Sequence, residues 1–296
     1  METSELSQSD IVNLISTSIN NLFSSLFSSI DSSLYSILDD LLFIDSDILN
    51  NSSLTNILGN SSNGLIIICN SLLIGFSLYY ICFFALSHFT FSQTQKPSQF
   101  FFKLFFCALA INSSEFVIEK FINLFSDVSL AIREVGEIIF NENICLYTFI
   151  ENFNSTIYLE SVGFNLFSLD GLVKSLISIG FLNLSISYAI RYVMIKVFAI
   201  FSPFAFVSLV NPNTSWVFKS WFKLLISLLV LQILVPLILL VSYSFEYNSE
   251  NTLSKLIYVG SVYSLIKSNS FVKDFMGGLS SDVNVGFSNL KNIFSK

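Results

Sequence analysis

Charge is what this sequence has least of. Only 12% of its 296 residues are charged, where an ordinary soluble domain has about a quarter. There is one histidine, His88, and the four cysteines, Cys69, Cys82, Cys107 and Cys145, form no CxxC. Neither a zinc site nor a redox pair is expected, and a free thiol in an apolar stretch packs as a small hydrophobe. No GxxxxGK[ST] phosphate cradle and no HExxH occur, and His88 has no evident triad partner, so an enzyme is not expected. A net charge of −7 argues against a basic surface for nucleic acid. The 33 Phe against 2 Trp read as codon drift in an AT-rich genome.

What is present is apolar. Hydrophobic residues make up 53% of the chain and the mean hydropathy is +0.70. The length suits one or two soluble domains, but that much Phe, Leu and Ile needs a bilayer to stay out of water. The expected class is an all-α polytopic membrane protein, with about five transmembrane helices, a broken or re-entrant segment and an external amphipathic helix in front. The expected division is an acidic helical region over 1–62, a transmembrane domain over 63–272 with an external loop at 120–171 that holds a short helix around Val128 to Phe140, and a cytoplasmic tail over 273–296.

Residues 1–62 contain no Lys or Arg and eight acidic residues. A secretory signal starts basic and turns apolar early; this region does neither. Ile11, Ile15, Ile19, Leu22, Leu26, Ile30, Leu34, Ile37 and Leu41 recur every three or four positions, the stripe of an amphipathic helix that Ser9 or Asp10 would cap. A helix drawn to anionic lipid is normally basic, so packing against partner helices or a neighbouring subunit is the favoured role, and lying at the interface the other.

A hydrocarbon core needs about 20 mostly apolar residues per helix. Gly64 to Phe89, Phe100 to Ile118, Leu172 to about Ala199 and Leu224 to Phe245 meet this, and Leu256 to Val272, holding Lys267, is a weaker fifth. Val197 to Val210 is too short to cross alone. Ser202 and Pro203 within it and Pro212 just beyond it predict a helix break followed by a half-span or lateral segment. Basic residues in short loops mark the cytoplasmic side. The 127–170 stretch has one Arg against seven acids, whereas Lys96, Lys103, Lys219, Lys223, Lys291 and Lys296 fall on the opposite side. Five crossings then place the N-terminus outside and the C-terminus in the cytoplasm of a bacterial cell.

Charges within spans are expensive and mark polar paths. Glu115 on the second span, with Glu119 one turn on, and Arg191 and Lys196 at the end of the third are the candidates. Arg191 and Lys196 read either as the lining of a vestibule that attracts anions or as snorkelling side chains. Arg133 and Glu137 have the spacing of a helical ion pair. Trp216 and Trp221 flank Lys219 in the manner of interfacial anchors. Gly277 and Gly278 permit a hinge ahead of a mildly basic, amphipathic tail suited to docking.

The run from Arg191 through Ser202-Pro203 and Pro212-Asn213-Thr214 to Trp216 and Trp221, with Val272-Lys273-Asp274-Phe275-Met276-Gly277-Gly278 in the tail, resembles the TrbL family of type IV secretion and conjugation systems, in its low-GC Gram-positive forms. The resemblance covers roughly residues 172–296. It implies a non-enzymatic subunit of the cytoplasmic membrane that oligomerises to form or scaffold a translocation channel. Its implied partners are other copies, further membrane subunits, separate secretion ATPases, and single-stranded DNA in transit. A small-solute transporter is the rival reading, but it predicts mirrored helix breaks in two halves, and only one break is seen. A membrane enzyme would have Glu115, Arg191 and His88 to work with, and composition alone also admits a holin or a toxin-immunity protein.

Overall fold

The computed structural model describes residues 8–49, 56–59, 64–90, 96–158, 168–245 and 251–276, and the described residues are almost entirely helical. In chain order the helices are α1 (Gln8–Leu42), a 3-10 turn (Ser46–Leu49), α2 (Leu65–Thr90), α3 (Pro97–Asn112), α4 (Ser114–Phe140), α5 (Leu146–Tyr158), α6 (Leu169–Val207), α7 (Ser215–Tyr243) and α8 (Thr252–Met276). Three of them, α2, α6 and α7, are long and apolar enough to cross a bilayer, and the bent pair α3–α4 makes a fourth if taken as one span. α8 falls short of that test among the described residues. Gly277 and Gly278 lie outside the described residues.

α6 is the axis of the molecule. Its 39 residues extend about 58 Å at 1.5 Å per residue, and α1, α2, α3, α4, α7 and α8 all pack on it. α7 returns antiparallel, flanked by α4 and α8. Two apolar clusters stack along the axis. One gathers Ile195, Ala199 and Ala205 of α6 with Leu225 and Leu228 of α7, Ile118 and Ile122 of α4, and Ile44. The other gathers Ile177, Leu184 and Tyr188 with Val235 and Leu239 of α7, Val262 and Leu265 of α8, Phe149 of α5, and Leu38 and Leu42 of α1.

The expected break at Pro203 does not occur. α6 runs through Pro203, which is buried inside it. Proline lacks the N–H that would pair the carbonyl four residues back, here that of Ala199. The Ser202 hydroxyl donates to that carbonyl at 2.7 Å, so the helix continues without an orphan acceptor. The break comes after Val207 and is held by its own polar groups. Thr214 Oγ1 donates to the Ser208 carbonyl at 2.8 Å and the Asn213 amide donates to Asn211 Oδ1 at 3.0 Å, with Pro212 exposed in the turn. The segment 197–207 is therefore the end of α6, and Ser202 and Pro203 are no hinge.

A second correction concerns Phe100 to Ile118, which is not one helix. The chain bends 68° between α3 and α4. Side chains of the bend bond carbonyls of the last α3 turn, Asn112 Nδ2 on Ala108 at 2.8 Å and Ser113 Oγ on Leu109 at 2.8 Å, the latter beside the Ser113 amide at 2.9 Å, the local side-chain bonding that competes with and bends helices. α4 then follows α7 for its whole length. Phe121 meets Phe222 at 5.8 Å near one end, and Gly136 sits beside Leu240 near the other. The helix expected around Val128 to Phe140 is present, but it begins at Ser114 and packs along α7 instead of standing in a loop that starts at residue 120.

Candidate functional site

The two apolar clusters meet at a polar seam. Arg191 of α6 is fully buried there, between Tyr188 of one cluster and Ile195 of the other. Its Nε donates to the Leu228 carbonyl at 3.0 Å, Nη1 to the Leu42 carbonyl at 3.1 Å, and Nη2 lies 3.5 Å from Gln232 Oε1. Gln232, also fully buried, turns its amide to donate to the Ile44 carbonyl. Tyr188 places its ring 5.6 Å from the guanidinium carbon and its hydroxyl 3.1 Å from Ser268 Oγ on α8.

The chemistry of this arrangement is structural capture. The carbonyls at a helix C-terminus have no partners within the helix and carry its negative dipole end. Leu42 is the last residue of α1, so a guanidinium there supplies both a donor and a complementary charge. No carboxylate among the described residues forms a salt bridge with Arg191; its partners are carbonyl and amide oxygens and an aromatic ring. Removing such a group strands buried acceptors.

The last turn of α1 is tied by a second polar set as well. Asp39 accepts from the backbone amides of Leu146 at 2.9 Å and Tyr147 at 3.3 Å, capping the start of α5 from a different helix. Arg133 of α4 donates from Nε to the Ile144 carbonyl at 2.9 Å and lays its guanidinium 4.2 Å from the Phe43 ring centre; among the described residues it forms no salt bridge with Glu137. Burial pushes the Asp39 carboxyl above its usual 3.8, against the opposite pull of the two amides and Arg133.

The expected polar path of Glu115, Arg191 and Lys196 is not assembled. Arg191 is enclosed and neither lines a vestibule nor snorkels. Lys196 stands about 140° round the helix from it at 100° per residue, half-buried, with its ammonium 4.5 Å over the Tyr192 ring. Glu115 sits half-buried in the first turn of α4, where a carboxylate suits the helix dipole. The two tryptophans also part company. Trp216 is 65% exposed, as an interfacial anchor would be, whereas Trp221 is 3% exposed and donates from Nε1 to the Phe198 carbonyl at 3.0 Å, so it locks α7 onto α6. Gln232 and Asp39 were not singled out from sequence, although Gln232 is the only amide in the apolar run from Leu224 to Leu240. No cluster of three metal-ligating side chains occurs among the described residues.

Neither a family model nor a curated protein matches this chain.

Proposed function

We propose that the chain is a non-enzymatic membrane subunit of a type IV secretion or conjugation machine, which forms or scaffolds the translocation channel by self-association. In this reading the bilayer is crossed by α2, the α3–α4 pair, α6, α7 and α8, with the N-terminus outside and the C-terminus in the cytoplasm. The observation that carries it is α1. Its last turns are locked into the bundle by Arg191 and Gln232, while Leu14, Ile15, Leu22 and Leu26 farther along remain exposed. An apolar stripe on a helix without basic residues, held rigidly at one end, is suited to other protein rather than to anionic lipid.

Gentle purification of the tagged chain from its host membranes, followed by cross-linking and native mass analysis, tests this. Recovery of a homo-oligomer together with a secretion ATPase is expected. A monomer carrying a bound small solute would overturn the reading in favour of a transporter. Removing residues 10–43 would also remove Leu38 and Leu42 from the core, so the contact is tested by Ile15→Ser, Leu22→Ser and Leu26→Ser together. These should dissociate the oligomer and leave the fold intact.

A further inference from the structure

Three charges stand exposed on the helices that flank α7. α7 is the most apolar of the three candidate spans, and α4 and α8 flank it. α8 runs parallel to α6 and so antiparallel to α7, and a groove of about 430 Å³ between α7 and α8 is lined by Leu237, Val241 and Phe245 on one side and Ser264, Gly260 and Ile257 on the other, which antiparallel order aligns in that sequence. Lys267, one turn beyond Ser264, is therefore level with Ile233 and Leu234. α4 runs parallel to α7, with Phe121 by Phe222 and Gly136 by Leu240, which puts Asp127 level with Leu229 and Glu134 level with Ile238. Lys267 thus falls between Asp127 and Glu134 in depth. All three are exposed, and among the described residues none of them is in a salt bridge.

A bilayer around α7 makes this arrangement expensive for a lone molecule, since an ionised side chain at mid-depth costs several kcal/mol. The flanking positions are built for close approach. On α8, Gly260 and Ser264 are exposed on the face of Lys267, and a Cβ added to Gly260 would meet nothing within 4 Å. On α4, Ala131 is exposed between Asp127 and Glu134. Small residues one turn apart let membrane helices pack backbone to backbone.

We infer that the α8 face of Gly260, Ser264 and Lys267 docks on the α4 face of Asp127, Ala131 and Glu134 in a second copy of this chain. The two faces differ, so the contact is head-to-tail and propagates into a closed ring or an open array. Lys267 enters between the two carboxylates of its neighbour, and neither sign is left facing lipid. The inference rests on the self-association proposed above and adds a contact distinct from the α1 stripe.

The test co-expresses two differently tagged full-length copies, each with Cys82→Ser and Cys145→Ser, one also carrying Ala131→Cys and the other Ser264→Cys. Oxidation in intact membranes should yield a mixed disulfide-linked dimer, and neither variant alone should yield one. Lys267→Glu should lower that yield at least roughly tenfold by setting like charges together. Adding Asp127→Lys and Glu134→Lys to the partner copy should restore it. An oligomer in native mass analysis without the mixed dimer, or a dimer from Ser264→Cys alone, overturns this pairing and leaves self-association standing. A monomer in native mass analysis overturns both.

Discussion

Arg191 and Leu42 are 149 residues apart in the chain, yet the Arg191 guanidinium donates to the Leu42 carbonyl at 3.1 Å inside the bundle. That bond, with the Gln232 amide on Ile44, makes the end of α1 part of the core instead of part of a separate N-terminal region.

Arg191→Leu should therefore lower stability by about 3 kcal/mol, because the Leu42 and Leu228 carbonyls lose a charged donor they cannot replace. Gln232→Leu, which strands the Ile44 carbonyl and removes the oxygen that faces Arg191 Nη2, should cost about 1–2 kcal/mol. The double variant should lose less than the sum, since both side chains hold one segment. Arg191→Lys keeps the charge without the planar fork and should not rescue. Thermal unfolding in mild detergent measures all four; strict additivity would show that the two act independently.

How much of this was legible beforehand depends on what each residue had to reveal. α2, α6 and α7 were readable because unbroken apolar runs have few other uses. Pro203 misled because its usual effect is cancelled by a neighbour's hydroxyl, a compensation that depends on the Ser202 rotamer. The α3–α4 bend was hidden in Asn112-Ser113-Ser114, residues that also occur within helices of this Ser-rich chain. Arg191 could be located but its role could not, because its partners are backbone carbonyls of distant segments and carbonyls carry no sequence signature. Trp221 and Trp216 look alike in sequence; only the packing of α7 on α6 separates the lock from the exposed ring.

The Ser202–Pro203 pair gives a test of its own. Ser202→Ala should cost about 1 kcal/mol by leaving the Ala199 carbonyl unpaired. In a Pro203→Ala background the restored N–H takes that carbonyl, so the same substitution should become nearly neutral. Melting temperatures of the two single variants and the double decide it. An equal loss in both backgrounds would mean that the hydroxyl does not compensate for the proline.

Asp39 predicts a pH dependence. Burial raises its folded-state pKa above 3.8, outweighing the two amides that favour the carboxylate. Protonation is then easier in the folded than in the unfolded chain. The resulting contribution is fully present below 3.8 and is lost as pH rises from there through the folded pKa. Asp39→Asn, which keeps an acceptor for Leu146 but cannot titrate, should flatten the melting temperature across that window. A slope unchanged in the variant would assign the effect to other carboxylates.

The contact of α4 with the α4–α5 turn supplies the last prediction. A Cβ on Gly136 would lie 2.6 Å from Ile144 Cγ1 and 3.4 Å from Leu240 Cδ1, and Ile144 is fully buried with its carbonyl held by Arg133. Two effects oppose each other in Gly136→Ala. Alanine favours the helix by about 1 kcal/mol, while overpacking a filled site costs about 1–3 kcal/mol. Because Ile144 has no open side to move into, the clash should win and the variant should be less stable. Ile144→Ala alone should cost about 2–5 kcal/mol through the cavity it leaves. In that background the clash is gone and only the helix preference remains, so adding Gly136→Ala should now raise stability. The sign of the Gly136→Ala effect should therefore reverse between the two backgrounds in thermal unfolding. Stabilisation in both would mean that Ile144 yields freely and that α4 does not need glycine to lie this close.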